Sequence, residues 1–393
     1  MAFDYVIVGS GIAGVTAAKE IRKQDKEGSI LLVGDDVRNP YYRIKLSELL
    51  GEEEPSLPAL AEEGWNEKLG IQCKFGVSVE SIDFEKKILS LSDGEEVEAK
   101  KILLANGSHA NLPPFKNSDL KGVFTLRSYD DLLSILSYLK GAKRVGVIGG
   151  GLLGLEAAKS LQKRGHEVVI VDMEEYLLSK QLNRELGMTL NEEMKDHGFM
   201  VYTSTATKGF VGDEKVTGIE FDDGTVVDLD CVLVSIGVRS NIELFKGTDL
   251  VINRGVVVDR ELKTNIENVW AAGDVAEIDG RTMGIWPASR AMGKVAAANM
   301  TGGKATYEDP KLFTKLDIGE IEVFSCGNVM EGDVYFYDDG DVHHRLFAKD
   351  GKVTGVILYH DTKAMTTYRK LVEEHADIEE ALKAKYPFTT EKA

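Results

Sequence analysis

Two glycine turns of the form GxGxxG, each set between a strand and a helix, constrain this chain more than any other feature. Gly9-Ser10-Gly11-Ile12-Ala13-Gly14 follows the apolar run Tyr5 to Val8 and precedes an alanine-rich segment, Val15 to Arg22, that reads as a helix; Ile30 to Val33 reads as the next strand. Gly149-Gly150-Gly151-Leu152-Leu153-Gly154 follows Arg144 to Ile148 and precedes a helix through Leu161 and a strand over Glu167 to Val171. In this setting the first glycine permits a tight turn, the second lets backbone approach a pyrophosphate, and the third lets helix pack on strand. Amides at the helix start then face the phosphate charge. One such turn is a weak signal, because glycines also join strands to helices where no ligand binds. Two copies in full strand-helix-strand context point to two bound dinucleotides.

Each unit also carries acids about 20 residues beyond its turn, where a carboxylate can accept hydrogen bonds from a ribose diol. In the second unit the acid is Asp172, followed by Met173, Glu174 and Glu175 with no Arg nearby, a pattern that repels a 2′-phosphate and favours NADH over NADPH. In the first unit, Asp35 and Asp36 read either as ribose partners or as a solvated turn pair.

A length of 393 residues suggests two or three domains. With 43% hydrophobic and 28% charged residues the composition is that of a globular protein, and no apolar run approaches the roughly 20 residues of a membrane span. The N-terminus runs straight into the first strand without a basic region, so no signal peptide is expected and a cytoplasmic location is. A net charge of -18 argues against non-specific nucleic-acid binding. Cys73, Cys231 and Cys326 are too scattered for a disulfide framework or a metal cluster.

Three further blocks carry a family resemblance across nearly the whole chain: KILLANGS over Lys101 to Ser108, CVLVSIGVRSN over Cys231 to Asn241, and WAAGDV over Trp270 to Val275. Together with the glycine turns they resemble the FAD-dependent pyridine nucleotide-disulfide oxidoreductase superfamily. The resemblance implies an α/β fold of glutathione-reductase type, with two Rossmann-like dinucleotide-binding domains and a small α+β C-terminal domain. It implies an FAD domain over 1–110 and 240–305, an NAD(H) domain over 111–239, and a C-terminal domain over 306–393. In that last part Val334 to Phe336, His344 to Ala348 and Val353 to Tyr359 read as strands, with a hairpin turn at Asp350-Gly351, before a helix from Thr362 to Glu374. By the same resemblance FAD lies against Gly9, Gly11, Ile12, Ala13, Gly14, Asp35, Asp36, Val79, Ala105, Asn106, Gly107, Gly273 and Asp274. Asp274 would bond the ribityl chain. NADH lies against Gly149, Gly151, Leu152, Leu153, Gly154, Asp172 and Gly237.

The segment PYYRIKLSELL is similar to the rubredoxin reductase and ferredoxin reductase branch, usually PYYRPRLS, with Ile44 in place of the middle proline. That likeness puts Arg43 and Lys45 beside the flavin, where a cation offsets charge on the reduced ring. It also puts Glu156 near the nicotinamide side and packs Trp286-Pro287 around the flavin. The CxxxxC pair of the disulfide reductases has no counterpart here, and Tyr41 to Ser47 holds no cysteine where related peroxidases and oxidases place one. The resemblance therefore implies hydride transfer from NADH to FAD without a side-chain acid or base, then single electrons to an external protein. Rubredoxin is the expected acceptor, met by a basic rim of Arg43, Lys45, Arg290 and Lys315. Competing readings are an NADH oxidase or peroxide-handling flavoprotein, a reductase component of a nitric oxide or nitrite system, and an NADH-sensing binding partner.

Overall fold

Val6, Ile7 and Val8 form the middle of a sheet covered on both faces, which is why their run is apolar without alternation. The structure, a computed structural model, describes residues 1–390. Its contacts divide the chain into two units. The first comprises Met1–Lys45, Ser56–Ala110 and Gly237–Pro310; the second comprises Leu46–Pro55, Asn111–Ile236 and the chain from Lys311 on.

In the first unit the strands Gln72–Phe75, Ile30–Gly34, Ala2–Val8, Glu96–Leu104 and Val269–Ala271 lie parallel in that order. The same edge of Glu96–Leu104 also pairs, through its amino-terminal half, with the antiparallel hairpin Val79–Asp83 and Ile88–Leu91. Sheet order reverses direction at Ala2–Val8, the switch point where such folds bind ligands. Helix Ile12–Gln24 packs on helix Trp286–Met300, which opens with Pro287 in its first turn. The two approach so closely that a Cβ on Gly293 would stand 2.4 Å from the Ala13 carbonyl oxygen.

In the second unit the strands Met200–Tyr202, Glu167–Val171, Arg144–Ile148, Cys231–Val234 and Val123–Thr125 form an all-parallel sheet. Helix Tyr129–Leu139 begins with a reciprocal cap: Ser128 Oγ accepts from Asp131 N–H and the Asp131 carboxylate accepts from Ser128 N–H. The C-terminal chain builds an antiparallel sheet in the order Phe313–Ile318, Ile321–Gly327, Lys352–Tyr359, Val342–Lys349, Asp333–Asp339, with helix Met365–Glu373 on it. It has an apolar core of its own, including Tyr368, Tyr386 and Phe388, yet groups with the second unit. Leu46–Pro55 groups there too, where the sequence places it in the first FAD segment. Among the described residues no helix is long and apolar enough to cross a membrane.

A buried ionic network explains part of that grouping. Arg345, 1% exposed, lays Nε and Nη2 on the Glu185 carboxylate at 3.1 and 2.7 Å and Nη1 on Asp338 at 2.9 Å. Glu185 belongs to helix Arg184–Asp196, whose Glu193 also accepts from Tyr359 Oη at 2.9 Å. A guanidinium removed from water is tolerable only when its fork is filled in this way. Replacing Arg345 by Met strands two carboxylates and should cost about 3–5 kcal/mol, read by urea unfolding. Adding Glu185→Gln and Asp338→Asn should recover most of the loss.

Candidate functional site

The two glycine turns have the same backbone wiring. Gly9 N–H donates to Val33 O at 2.7 Å, and Gly149 N–H to Val171 O at 2.8 Å. On the other side, Ala105 N–H reaches Val8 O and Ser235 N–H reaches Ile148 O, both at 2.7 Å. Both first glycines have positive φ, 113° and 112°. A Cβ on Gly9 would fall 2.2 Å from Ala105 O, and one on Gly149 2.3 Å from Ser235 O. Both third glycines, Gly14 and Gly154, would place a Cβ 1.9 Å from the carbonyl oxygen of the first.

The middle glycines differ. Gly11 and Gly151 have φ of -73° and -81°, open to any residue, and a Cβ there would meet no protein atom within 4 Å. Packing therefore explains the first and third glycines and leaves the second unexplained. Each middle glycine is the N-cap of its helix and offers no side chain to the first amides, so a phosphate can come within hydrogen-bonding reach of them. The residues present fit a dinucleotide at each turn. Ile12 and Ala13, and Leu152 and Leu153, open the two helices; Ala13 is buried and Leu153 exposed.

Around the first turn the chain gathers a set of polar contacts. Gly273 has φ +84°, and a Cβ on it would stand 3.0 Å from Ala13 Cβ, so the residue before Asp274 packs closely on the helix start. The Asp274 carboxylate accepts from Ser108 Oγ at 2.7 Å on one oxygen and from Ser289 Oγ at 2.8 Å on the other, while Ser240 Oγ donates to its backbone carbonyl at 2.6 Å. All three serines are buried. The sequence does not single them out; two sit inside recognisable blocks, but nothing local shows that they converge on Asp274. Asn106 and Asn241 exchange amide-to-carbonyl bonds at 2.8 Å, leaving Asn106 Oδ1 buried without a partner next to Gly107. Tyr42 stacks on Trp286 at 5.8 Å, with Arg290 over the indole at 5.8 Å. Arg43 and Lys45 lie on a single tight turn, Arg43 over the Tyr41 ring and Lys45 exposed, with Ile44 turned outward between them. Val79 opens its strand at the edge of the core.

The structure separates the paired acids. Asp36 accepts from Tyr41 Oη at 2.9 Å and from Arg38 Nη1 at 3.0 Å, whereas Asp35 is exposed just past the strand end. The shared wiring also shows that Gly34, not an acid, stands where Asp172 does, since each follows the valine whose carbonyl takes the first glycine's N–H.

At the second turn, Asp172 Oδ2 accepts from Gly150 N–H and Oδ1 from Glu174 N–H at 2.8 Å, so the acid braces the turn. One expectation changes here. The fold brings Arg184 onto Glu175, so a basic group does lie near this loop although none is close in sequence. Gly237 is the residue at which the chain re-enters the first unit, just after Ser235 and Ile236, which crowd Gly149. Glu156 is half-buried and accepts from the buried Ser47 Oγ at 2.8 Å. Burial pushes the Cys73 and Cys231 thiols up to about 12 and raises Cys326 as well, which keeps all three protonated at neutral pH. Among the described residues no cluster of His, Cys, Asp or Glu could hold a metal ion.

The glycines separate protein from ligand experimentally. Gly14→Ala should fail to accumulate as folded protein, because its methyl collides with backbone. Gly11→Ala should fold and lose FAD affinity about tenfold or more, since its methyl stands between the phosphate and the helix amides; the ratio of flavin to protein absorbance reads both. Gly154→Ala and Gly151→Ala should divide in the same way for NADH.

Comparison with known proteins agrees with this geometry. The chain is 31% identical over 387 residues to the nitrite reductase [NAD(P)H] of Bacillus subtilis, which covers 96% of this chain; the chain spans 48% of that protein's length. It is 28% identical to the NADH-rubredoxin oxidoreductase of Clostridium acetobutylicum, covering 94% of both proteins. The crystal structure of the NADH:rubredoxin oxidoreductase from that organism superposes with a TM-score of 0.79 at 27% identity, over 96% of this chain and 97% of the other. Residues 313–376 match the rubredoxin NAD+ reductase C-terminal domain. Residues 3–300 match the pyridine nucleotide-disulphide oxidoreductase family, and the chain belongs to that family, whose members use FAD and NADH.

Proposed function

We propose that this chain is an FAD-dependent NADH oxidoreductase that passes electrons to rubredoxin or a similar small iron-sulfur protein. The observation that carries the reading is the pair of identically wired glycine turns, each open at its middle glycine, in one chain. The match of residues 313–376 supports the choice of acceptor.

In this reading Asp35 takes the ribose diol of FAD, because Asp36 is already engaged by Tyr41 and Arg38. Asp274 accepts from ribityl hydroxyls; donors on both of its oxygens fix the carboxylate plane and leave it lone pairs to offer. Asn106 Oδ1 is a further acceptor. Arg43 and Lys45 counter negative charge, and the Tyr42–Trp286 stack supplies a rigid aromatic wall. Bound FAD supplies the hydride acceptance and one-electron release that no side chain provides. Asp172 holds the second turn and the nicotinamide coenzyme's ribose. Three protonated thiols fit chemistry that bypasses sulfur.

A chain of net charge -18 would repel any acceptor that is itself acidic unless its docking surface is locally basic. Arg43, Lys45 and Arg290 supply candidates on the first unit; Lys315 lies on the second. The deciding measurement is anaerobic bleaching of rubredoxin by NADH and this protein, set against its oxygen and peroxide consumption. Rubredoxin reduction should be the faster, and a rate no higher than the side reactions removes the acceptor assignment. Arg290→Glu should lower kcat/KM for rubredoxin about tenfold at low salt and less at high salt. Iodoacetamide treatment should leave the rate unchanged. The likeness to Bacillus subtilis nitrite reductase favours one second reading, an electron-entry module for nitrite reduction; nitrite-dependent NADH oxidation on adding a nitrite-reducing protein, with rubredoxin inert, would establish it.

A further inference from the structure

Helix Arg184–Asp196 carries a cation to the loop after Asp172. Arg184 is its first residue, and its guanidinium lies along both oxygens of Glu175, with Nε to Oε2 at 2.8 Å and Nη2 to Oε1. The backbone beneath this pair is held by buried contacts. Asn191, 2% exposed, accepts from Leu177 N–H at 3.0 Å and donates to Glu175 O at 3.2 Å. Gly187 leaves room for the Tyr176 ring, which a Cβ there would meet at 2.1 Å. Leu178 N–H donates to Gly150 O at 2.9 Å, and Asp172 takes Gly150 N–H, so the loop is tied to the glycine turn itself.

The ion pair is the loose part of this frame: the Arg184 and Glu175 side chains are 67% and 47% exposed. An exposed pair is a weak tie. A 2′-phosphate bears close to two charges and three acceptor oxygens, and an arginine fork suits it well. Left to itself, Arg184 would offer a phosphate-receptive fork to the loop that follows Asp172.

We propose that Glu175 is a specificity-determining residue: by occupying Arg184, and with Asp172 and Glu174 adding negative charge, it makes the second turn select NADH over NADPH. The proposal rests on the reading of that turn as the nicotinamide coenzyme site. It goes beyond the ribose acid alone, because it assigns selectivity to a pair whose removal uncovers a latent phosphate site.

Calorimetric titration of the FAD-loaded full chain with 5′-AMP and with adenosine 2′,5′-bisphosphate tests it without turnover. Wild type should bind 5′-AMP more tightly. Glu175→Gln, on an exposed loop, should raise bisphosphate affinity about tenfold and leave 5′-AMP binding within about twofold; Glu175→Gln/Arg184→Gln should cancel the gain. The ratio of kcat/KM for NADPH to that for NADH should follow the same order. No gain in Glu175→Gln overturns the proposal, as does a gain that survives loss of Arg184. Should neither nucleotide bind any of the proteins, the nicotinamide reading fails and the proposal with it, an outcome distinct from equal binding by all variants.

Discussion

The contact on which both glycine turns depend is one of backbone against backbone. Gly9 is held between Val33, within one strand, and Ala105, just past the end of another, and Gly149 between Val171 and Ser235, at distances that leave no room for a side chain. That squeeze aims the following helix, and the third glycine lets its first turn sit down on the loop. Only then do amides converge on the open position at the middle glycine. Cofactor affinity therefore begins in packing that involves no cofactor atom, and the buried valines and isoleucines of the central strands keep that packing in place.

From this common base the turns diverge through what is placed around them. The first is surrounded by groups drawn from distant parts of the chain: three serines, a reciprocal asparagine pair and an aromatic stack. Such a site suits a resident group. The second has its acid folded back on its own glycine turn and an exposed ion pair at its margin. That arrangement suits a molecule that arrives and leaves.

What could be read from the sequence follows from how local each signal is. Arg144–Ile148 and Glu167–Val171 stand where their apolar runs place them, because a strand buried on both faces announces itself over five residues. The strands of the last sheet from Asp333 on are legible around their turns, while Phe313–Ile318 hides behind alternating Lys315 and Asp317 on an exposed face. Asp274 is visible within its block, but the hydroxyls that orient it are not, since a serine looks the same whether it faces water or a carboxylate. Arg184 defeats a linear search for the same reason: only the packing of Gly187 and Asn191 against the loop brings it to Glu175. Asp35 and Asp36 are indistinguishable as neighbours and become distinct once Tyr41 folds back onto one of them.

The short ribbon in which Ser108–Ala110 pairs with Val238–Ser240 is also a statement about chain topology. These are the strands by which the chain leaves the first unit before Asn111 and returns after Gly237. The two ends of the excursion from Asn111 to Ile236 thus start from strands that are hydrogen-bonded side by side within the first unit. Ser108 and Ser240 lie in that ribbon and hold Asp274, one through its carboxylate and one through its backbone carbonyl. A segment grafted between these two strands with the wrong spacing between its ends would be felt first at Asp274.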